Sequence, residues 1–171
     1  LSVAYLEDRQ YEKAVNIVND LLATNPGRIT FQVTLAEVRL AQDRVDEARS
    51  ILKDALARNP GNYPITHTLA LTEIADGNGA AAAEHLKQLT RQLPGQEHLW
   101  LKLAEAEGMA RNIVGVHRAR AEYDVLMGDL ESAERQLRQA QEKLPAGAPQ
   151  RQIVTERLAE ITSRLHARAN S

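Results

Sequence analysis

Glu12-Lys13-Ala14-Val15-Asn16-Ile17-Val18-Asn19-Asp20-Leu21-Leu22-Ala23-Thr24-Asn25-Pro26-Gly27 decides the fold, because the chain repeats it. It returns as Asp46-Glu47-Ala48-Arg49-Ser50-Ile51-Leu52 running to Asn59-Pro60-Gly61, and again as Ala80-Ala81-Ala82-Ala83-Glu84-His85-Leu86 running to Leu93-Pro94-Gly95. The alanine moves from Ala14 to Ala48 to Ala82 and the proline from Pro26 to Pro60 to Pro94, each in steps of 34 residues. A fixed period of that length is the mark of stacked supersecondary units, each burying its apolar face on its neighbours.

Within each unit the apolar residues recur at the three- and four-residue spacing of a helix. Ala14, Ile17, Val18, Leu21 and Leu22 form one such face over Tyr11 to Ala23. Leu1 to Leu6 reads as the end of a preceding helix, with Glu7-Asp8-Arg9-Gln10 as its turn. The second pair is expected at Thr30–Ala41 and Val45–Arg58, the third at Tyr63–Ala75 and Gly79–Gln92. Asn25-Pro26-Gly27 stops the first of these second helices, because proline is costly inside a helix and glycine accepts the left-handed conformation common past a helix end. Asn62 is placed to cap the third pair, with Pro64 in the first turn.

The period then breaks. The next alanine of this kind is Ala133, 51 residues beyond Ala82, which is one repeat plus 17 residues. Seventeen residues make one helix and its turn. The reading therefore expects a helix at Glu97–Ala110, an inserted helix at Val114–Leu126, and another at Leu130–Lys143. The inserted helix serves both neighbours, closing one pair and opening the next. A last helix at Gln150–Ala167, with Val154, Leu158, Ile161 and Leu165 on one stripe, suits a terminal cap.

Alanine at the crossing of paired helices lets the backbones approach, where a larger side chain overpacks. Leu35, Leu69 and Leu103 share another repeat position, beside Ala36, Ala70 and Ala104, and Trp100 occupies the fourth position of its repeat. These residues, with Pro26, Pro60, Pro94 and the four alanines, are read as packing positions.

The alanine, leucine and Asn-Pro-Gly pattern over residues 1–95 resembles tetratricopeptide repeats. That resemblance implies an all-α fold: a right-handed superhelical array of antiparallel helix pairs, here with a half-repeat helix and a C-terminal cap. It implies one domain over 1–171, with repeats at about 1–27, 28–61 and 62–95, an irregular part at 97–145 and a cap at 150–168. Counting Ala14 as the twentieth repeat position makes Leu1 the seventh, so the reading expects a longer parent chain.

Residues 97–165 carry a narrower likeness. Trp100-Leu101-Lys102-Leu103-Ala104-Glu105-Ala106, His117-Arg118-Ala119-Arg120-Ala121-Glu122-Tyr123, Leu126-Met127-Gly128-Asp129-Leu130-Glu131-Ser132-Ala133, Gln136-Leu137 and Arg157-Leu158 resemble the C-terminal repeat domain of BepA/YfgC-type periplasmic zinc metalloproteases. That resemblance implies a non-catalytic tail behind a zinc-holding HExxH domain, a periplasmic location, and a role in outer-membrane protein assembly and quality control. It implies as partners a protein or peptide, the upstream protease domain, and outer-membrane assembly components. A free-standing repeat scaffold or secretion accessory is the alternative.

Composition narrows the function classes. The chain has 171 residues, is 43% hydrophobic and 26% charged, and so has material for a packed core. With 21 basic against 23 acidic residues, it offers no electrostatic case for a nucleic-acid partner. No apolar run approaches the roughly 20 residues that span a bilayer. There are no cysteines, so thiolate metal sites are excluded. None of His67, His85, His98, His117 and His166 opens a His-Glu-x-x-His pair, and no P-loop, nucleophile elbow or dinucleotide fingerprint occurs. Asp76-Gly77-Asn78-Gly79 lacks the later carboxylates of a calcium loop and reads as a turn. No catalytic residue, metal ligand or cofactor is expected within these residues.

Binding is therefore the function to place. The first helices of such pairs line a groove, whose positions in this register are Val33, Glu37 and Leu40, then His67, Leu71 and Ile74, then Leu101 and Glu105. This mixed apolar and acidic set suits an extended or helical peptide, or packing on the expected upstream domain. Glu105 and Glu107 are both read as solvated charge. His117 and Glu122 are read as structural, at the crossing of the irregular helices.

Overall fold

The computed structural model describes residues 10–169; the expected helix end over Leu1–Leu6, nearly all of its turn, Asn170 and Ser171 lie outside them. The described residues form nine helices and no strand. They are α1 (Tyr11–Thr24), α2 (Ile29–Ala41), α3 (Val45–Arg58), α4 (Tyr63–Ala75), α5 (Gly79–Gln92), α6 (Glu97–Met109), α7 (Ile113–Met127), α8 (Leu130–Lys143) and α9 (Pro149–Ala169). The expected helix ends hold to within one or two residues. The expected start at Gln150 moves back to Pro149, whose fixed φ suits a first turn. The inserted helix starts at Ile113 because Asn112 caps it.

The chain divides into two compact units, Leu1–His85 and Leu86–Ser171, with the division inside α5. In the first unit, α2 packs on α1, α3 and α4, and α3 packs on α4. Ala36, Ala48, Leu52, Ala55, Ile65 and Leu69 form its main core cluster, and Ala14, Val15 and Val38 a second. Ala14, Ala48, Ala82 and Ala133 are all 0% exposed, as helix crossings at methyl distance require. On α4, Thr66 and Thr72 lie buried with their hydroxyls returned to the carbonyls of Asn62 and Thr68, both at 2.8 Å.

In the second unit, α7 packs against both α6 and α8, so the inserted helix does serve two neighbours. Ala121, Leu130, Ala133, Leu137, Ala140, Leu144, Val154 and Ile161 form its core. The cap helix α9 lies on α8 and contributes the expected stripe, with Val154 and Ile161 buried and Leu158 and Leu165 packed beside them. Each of the two fully buried side chains stabilises by roughly 1.5–3 kcal/mol.

The turns correct one expectation. Of Gly27, Gly61 and Gly95, only Gly61 takes positive φ, at 73°. The same closing bond forms in all three turns, Arg28 N to Asn25 O (3.1 Å), Asn62 N to Asn59 O (3.3 Å) and Gln96 N to Leu93 O (3.2 Å), so a left-handed glycine is not what closes them. Besides Gly61, and Gly147 before α9 (84°), a left-handed residue sits in each of four other turns: Asp43 (φ 63°), Gly77 (76°), Arg111 (57°) and Gly128 (81°). In each of these four turns, the next residue's N–H reaches five residues back: Arg44 to Arg39, Asn78 to Glu73, Asn112 to Glu107 and Asp129 to Asp124. This is the hydrogen bond that ends a helix in a Schellman turn. These positions step by 34, 34 and then 17 residues, so the half-repeat is written in the turns as well as in the alanines.

Candidate functional site

The same turns organise two buried carboxylates. Glu73 and Glu107 are 2% and 3% exposed and lie one repeat apart. Asn112 Nδ2 donates to Glu107 Oε2 at 2.8 Å, while its Oδ1 accepts from Gly115 N at 3.2 Å. Asn78 makes the matching bond to Glu73 Oε2 at 3.2 Å and accepts from Ala81 N at 3.4 Å. One asparagine thus caps the second helix of a pair and satisfies a carboxylate on the first. Glu73 is neutralised by Arg49 at 3.1 Å, and Arg49 also pairs with Asp46 and Asp76. Glu107 is neutralised by Lys87 at 3.1 Å. The expectation that Glu107 is solvated is therefore overturned. It stands two residues from Glu105, which is exposed and paired with Lys102 at 2.8 Å, but on a different face of α6.

Gly115 completes the Glu107 pocket. A Cβ there would sit 2.5 Å from the Glu107 carboxyl carbon and 2.7 Å from Asn112 Nδ2. The first turn of α7 thus lies directly against the carboxylate.

Next to this pair the second unit holds a cavity of about 420 Å³. Its apolar wall is Trp100 and Leu103 of α6, Ala119 of α7, Leu137 of α8, and Ile153 and Val154 of α9. Its charged lining is Lys87, Arg91, Glu107, Arg118, Glu122 and Arg157. Trp100, read from the sequence as a packing residue, is half-buried, and its indole Nε1 donates to the Pro94 carbonyl at 2.8 Å. Two repeats earlier, Gln32 Nε2 makes the same bond to the Pro26 carbonyl at 2.7 Å. The bond fixes the indole edge, and its apolar face remains to line the cavity.

The opposite wall is tied by the irregular helices. Arg157 of α9 grips Glu122 of α7 in two bonds, 2.9 Å from Nε and 2.6 Å from a terminal nitrogen. Arg157 also holds Glu160 at 2.5 Å. Hydrogen bonding to Glu122 is the largest effect raising the Arg157 guanidinium pKa further above its ordinary value. His117 Nδ1 of α7 lies 2.8 Å from Gln136 Oε1 of α8. The structural reading of His117 and Glu122 matches these contacts.

The groove positions fall elsewhere. Val33 and Leu40 are half-buried against the first unit's core, with Glu37 exposed one helical turn from each on α2. Neighbouring side chains withdraw the exposed Glu37 carboxyl from water only in part, which raises its pKa. His67 stacks on Tyr63 with ring centroids 5.5 Å apart, and Leu71 and Ile74 are half-buried on the same helix. Leu101 and Glu105 are exposed on α6 and do not line the cavity. The cavity was missed because its walls come from five helices, and the inserted helix breaks the register that links sequence position to face.

Chemically, both cavity carboxylates are held by cations, which leaves the site suited to recognition. Among the described residues no cluster of three His, Asp or Glu forms a metal site. No helix among them is long and apolar enough to cross a membrane.

A family model described as a tetratricopeptide repeat matches residues 5–70. Solved structures extend the likeness. The fold is tetratricopeptide-like. MamA from Desulfovibrio magneticus RS-1 superposes with a TM-score of 0.68 at 10% identity, over 97% of this chain and 92% of that one. A tetratricopeptide repeat protein from Parabacteroides merdae gives a TM-score of 0.57 at 16% identity, over 94% and 68%. A chain of the Naa15/Naa10 complex bound to HypK-THB gives 0.60 at 22% identity over 86% of this chain, which spans 25% of that chain's length. No curated protein matches the chain in sequence.

Proposed function

We propose that this chain is a non-catalytic protein-binding module that receives a peptide segment in the cavity of its second unit. The observation that carries the reading is the cavity itself. At about 420 Å³ it falls within the range of ligand sites, about 300–1,000 Å³. It combines apolar walls with a few placed polar groups, as recognition sites do. Peptide selection from a random display library against the purified chain tests it. Enriched peptides are expected to lose binding to Trp100→Ala. Peptides that bind this variant as well as the parent would move the site away from the cavity, to the faces carrying Leu71 or Leu101.

A finer reading places the module behind a periplasmic zinc protease domain, where it holds substrates or outer-membrane assembly partners for that domain. The resemblance of residues 97–165 to such tails supports it. The zinc would belong to the preceding domain. Sequencing the gene upstream of Leu1 tests this: an HExxH segment is expected, and its absence would leave a free-standing scaffold.

A further inference from the structure

We propose that the cavity takes an acidic peptide segment, with an apolar side chain against Trp100 and Leu103 and flanking carboxylates on Arg91 and Arg118. The inference rests on reading the cavity as the binding site and adds the chemistry of its occupant.

Charge complementarity carries it. The whole chain has a net charge of -2, yet four basic and two acidic side chains line this cavity. The two acidic groups are already engaged, Glu107 by Lys87 and Asn112, and Glu122 by Arg157. Arg157 is likewise engaged by Glu122 and Glu160. Arg91, from the end of α5, and Arg118, from the middle of α7, form no ion pair among the described residues. Arg91 is exposed and Arg118 half-buried, so both reach the cavity without being spent inside it. A guanidinium binds a carboxylate through paired hydrogen bonds that an amide cannot match.

The walls choose the rest. Leu103, Leu137 and Val154 are buried, and Ile153 is 51% exposed at the rim. An apolar side chain entering here removes the Trp100 face and Ile153 from water. Nucleic acid would instead need a long basic track. The occupant is therefore a protein segment that alternates apolar and acidic residues.

A fluorescein-labelled peptide alternating leucine and aspartate, titrated by anisotropy against its asparagine counterpart, tests the inference. The aspartate peptide is expected to bind about tenfold or more tightly, as loss of charge-assisted bonds implies. The double variant Arg91→Gln/Arg118→Gln, its fold checked by circular dichroism, is expected to erase that difference. Equal affinity for the two peptides in the parent, with both weakened by Trp100→Ala, would overturn the acidic assignment and leave the cavity reading standing. Binding unaffected by Trp100→Ala would overturn both. A single-stranded oligonucleotide that displaces the aspartate peptide at equal concentration would overturn the choice of a protein segment.

Discussion

Asn112 and Glu107 are joined at 2.8 Å across the turn between α6 and α7, and Asn78 and Glu73 repeat that pair one repeat earlier. The pair ties a helix cap to a buried charge, so the two stabilise together. Glu107→Ala removes the acceptor of Asn112 and the 3.1 Å contact that Lys87 makes with it. Lys87 is 36% exposed and can turn to water, which keeps the loss below that of a fully buried ion pair. A destabilisation of about 2 kcal/mol is expected, with Glu107→Gln losing about half as much because its amide oxygen still accepts from Asn112. Urea melts of both variants check the order.

Gly115→Ala sets two effects against each other. Alanine is a better helix former than glycine by about 1 kcal/mol. The new methyl would meet the Glu107 carboxyl group at 2.5 Å, and overpacking a buried site costs about 1–3 kcal/mol. Net destabilisation of about 1 kcal/mol is expected. The paired variant Gly115→Ala/Glu107→Ala should recover part of it, and stability above that of Glu107→Ala alone would demonstrate the clash.

The Glu122–Arg157 bridge binds the cap helix to the inserted one. Both side chains are 27% exposed, so water screens the pair only in part. A double-mutant cycle with Glu122→Gln and Arg157→Gln is expected to return a coupling of about 1 kcal/mol, at the top of the range for exposed pairs. A coupling indistinguishable from zero would remove this bond as a reason for the cap's position.

Acid should weaken the first unit through His85. Burial lowers its pKa below the ordinary 6.5, outweighing the opposite pull of Glu73 and Glu84, while Lys53 adds to the lowering. Below pH 6.5 the unfolded chain takes up this proton while the fold resists it. The unfolded state then binds more protons, and stability falls as pH falls until the lowered pKa is reached. His85→Gln is expected to flatten that slope just below pH 6.5 and to leave the slope above it unchanged. Stability curves measured across that range would show it.

The regular part of this fold was open to inspection in the chain because alanine and proline mark each repeat. The half-repeat was legible too, since Ala133 arrives 51 residues after Ala82. Glu107 was misread because its neighbour Glu105 drew the comparison, although Glu73-to-Asn78 and Glu107-to-Asn112 share one spacing a repeat apart. That spacing was the available signal. The cavity had no comparable signal. Arg91, Arg118 and Ile153 lie on three different helices, the inserted one among them, and no local pattern reports that they line one cavity. Gly27 of Asn25-Pro26-Gly27 misled because sequence shows where a turn lies before it shows which backbone conformation closes it.

Trp100 is the chain's one tryptophan and stands in the cavity wall, so its emission reports the proposed site directly. Titration of the unlabelled leucine–aspartate peptide should produce a saturable blue shift of that emission, with a midpoint equal to the anisotropy Kd and lost in Arg91→Gln/Arg118→Gln. Saturated peptide binding with Trp100 emission unchanged would contradict the cavity as the binding site.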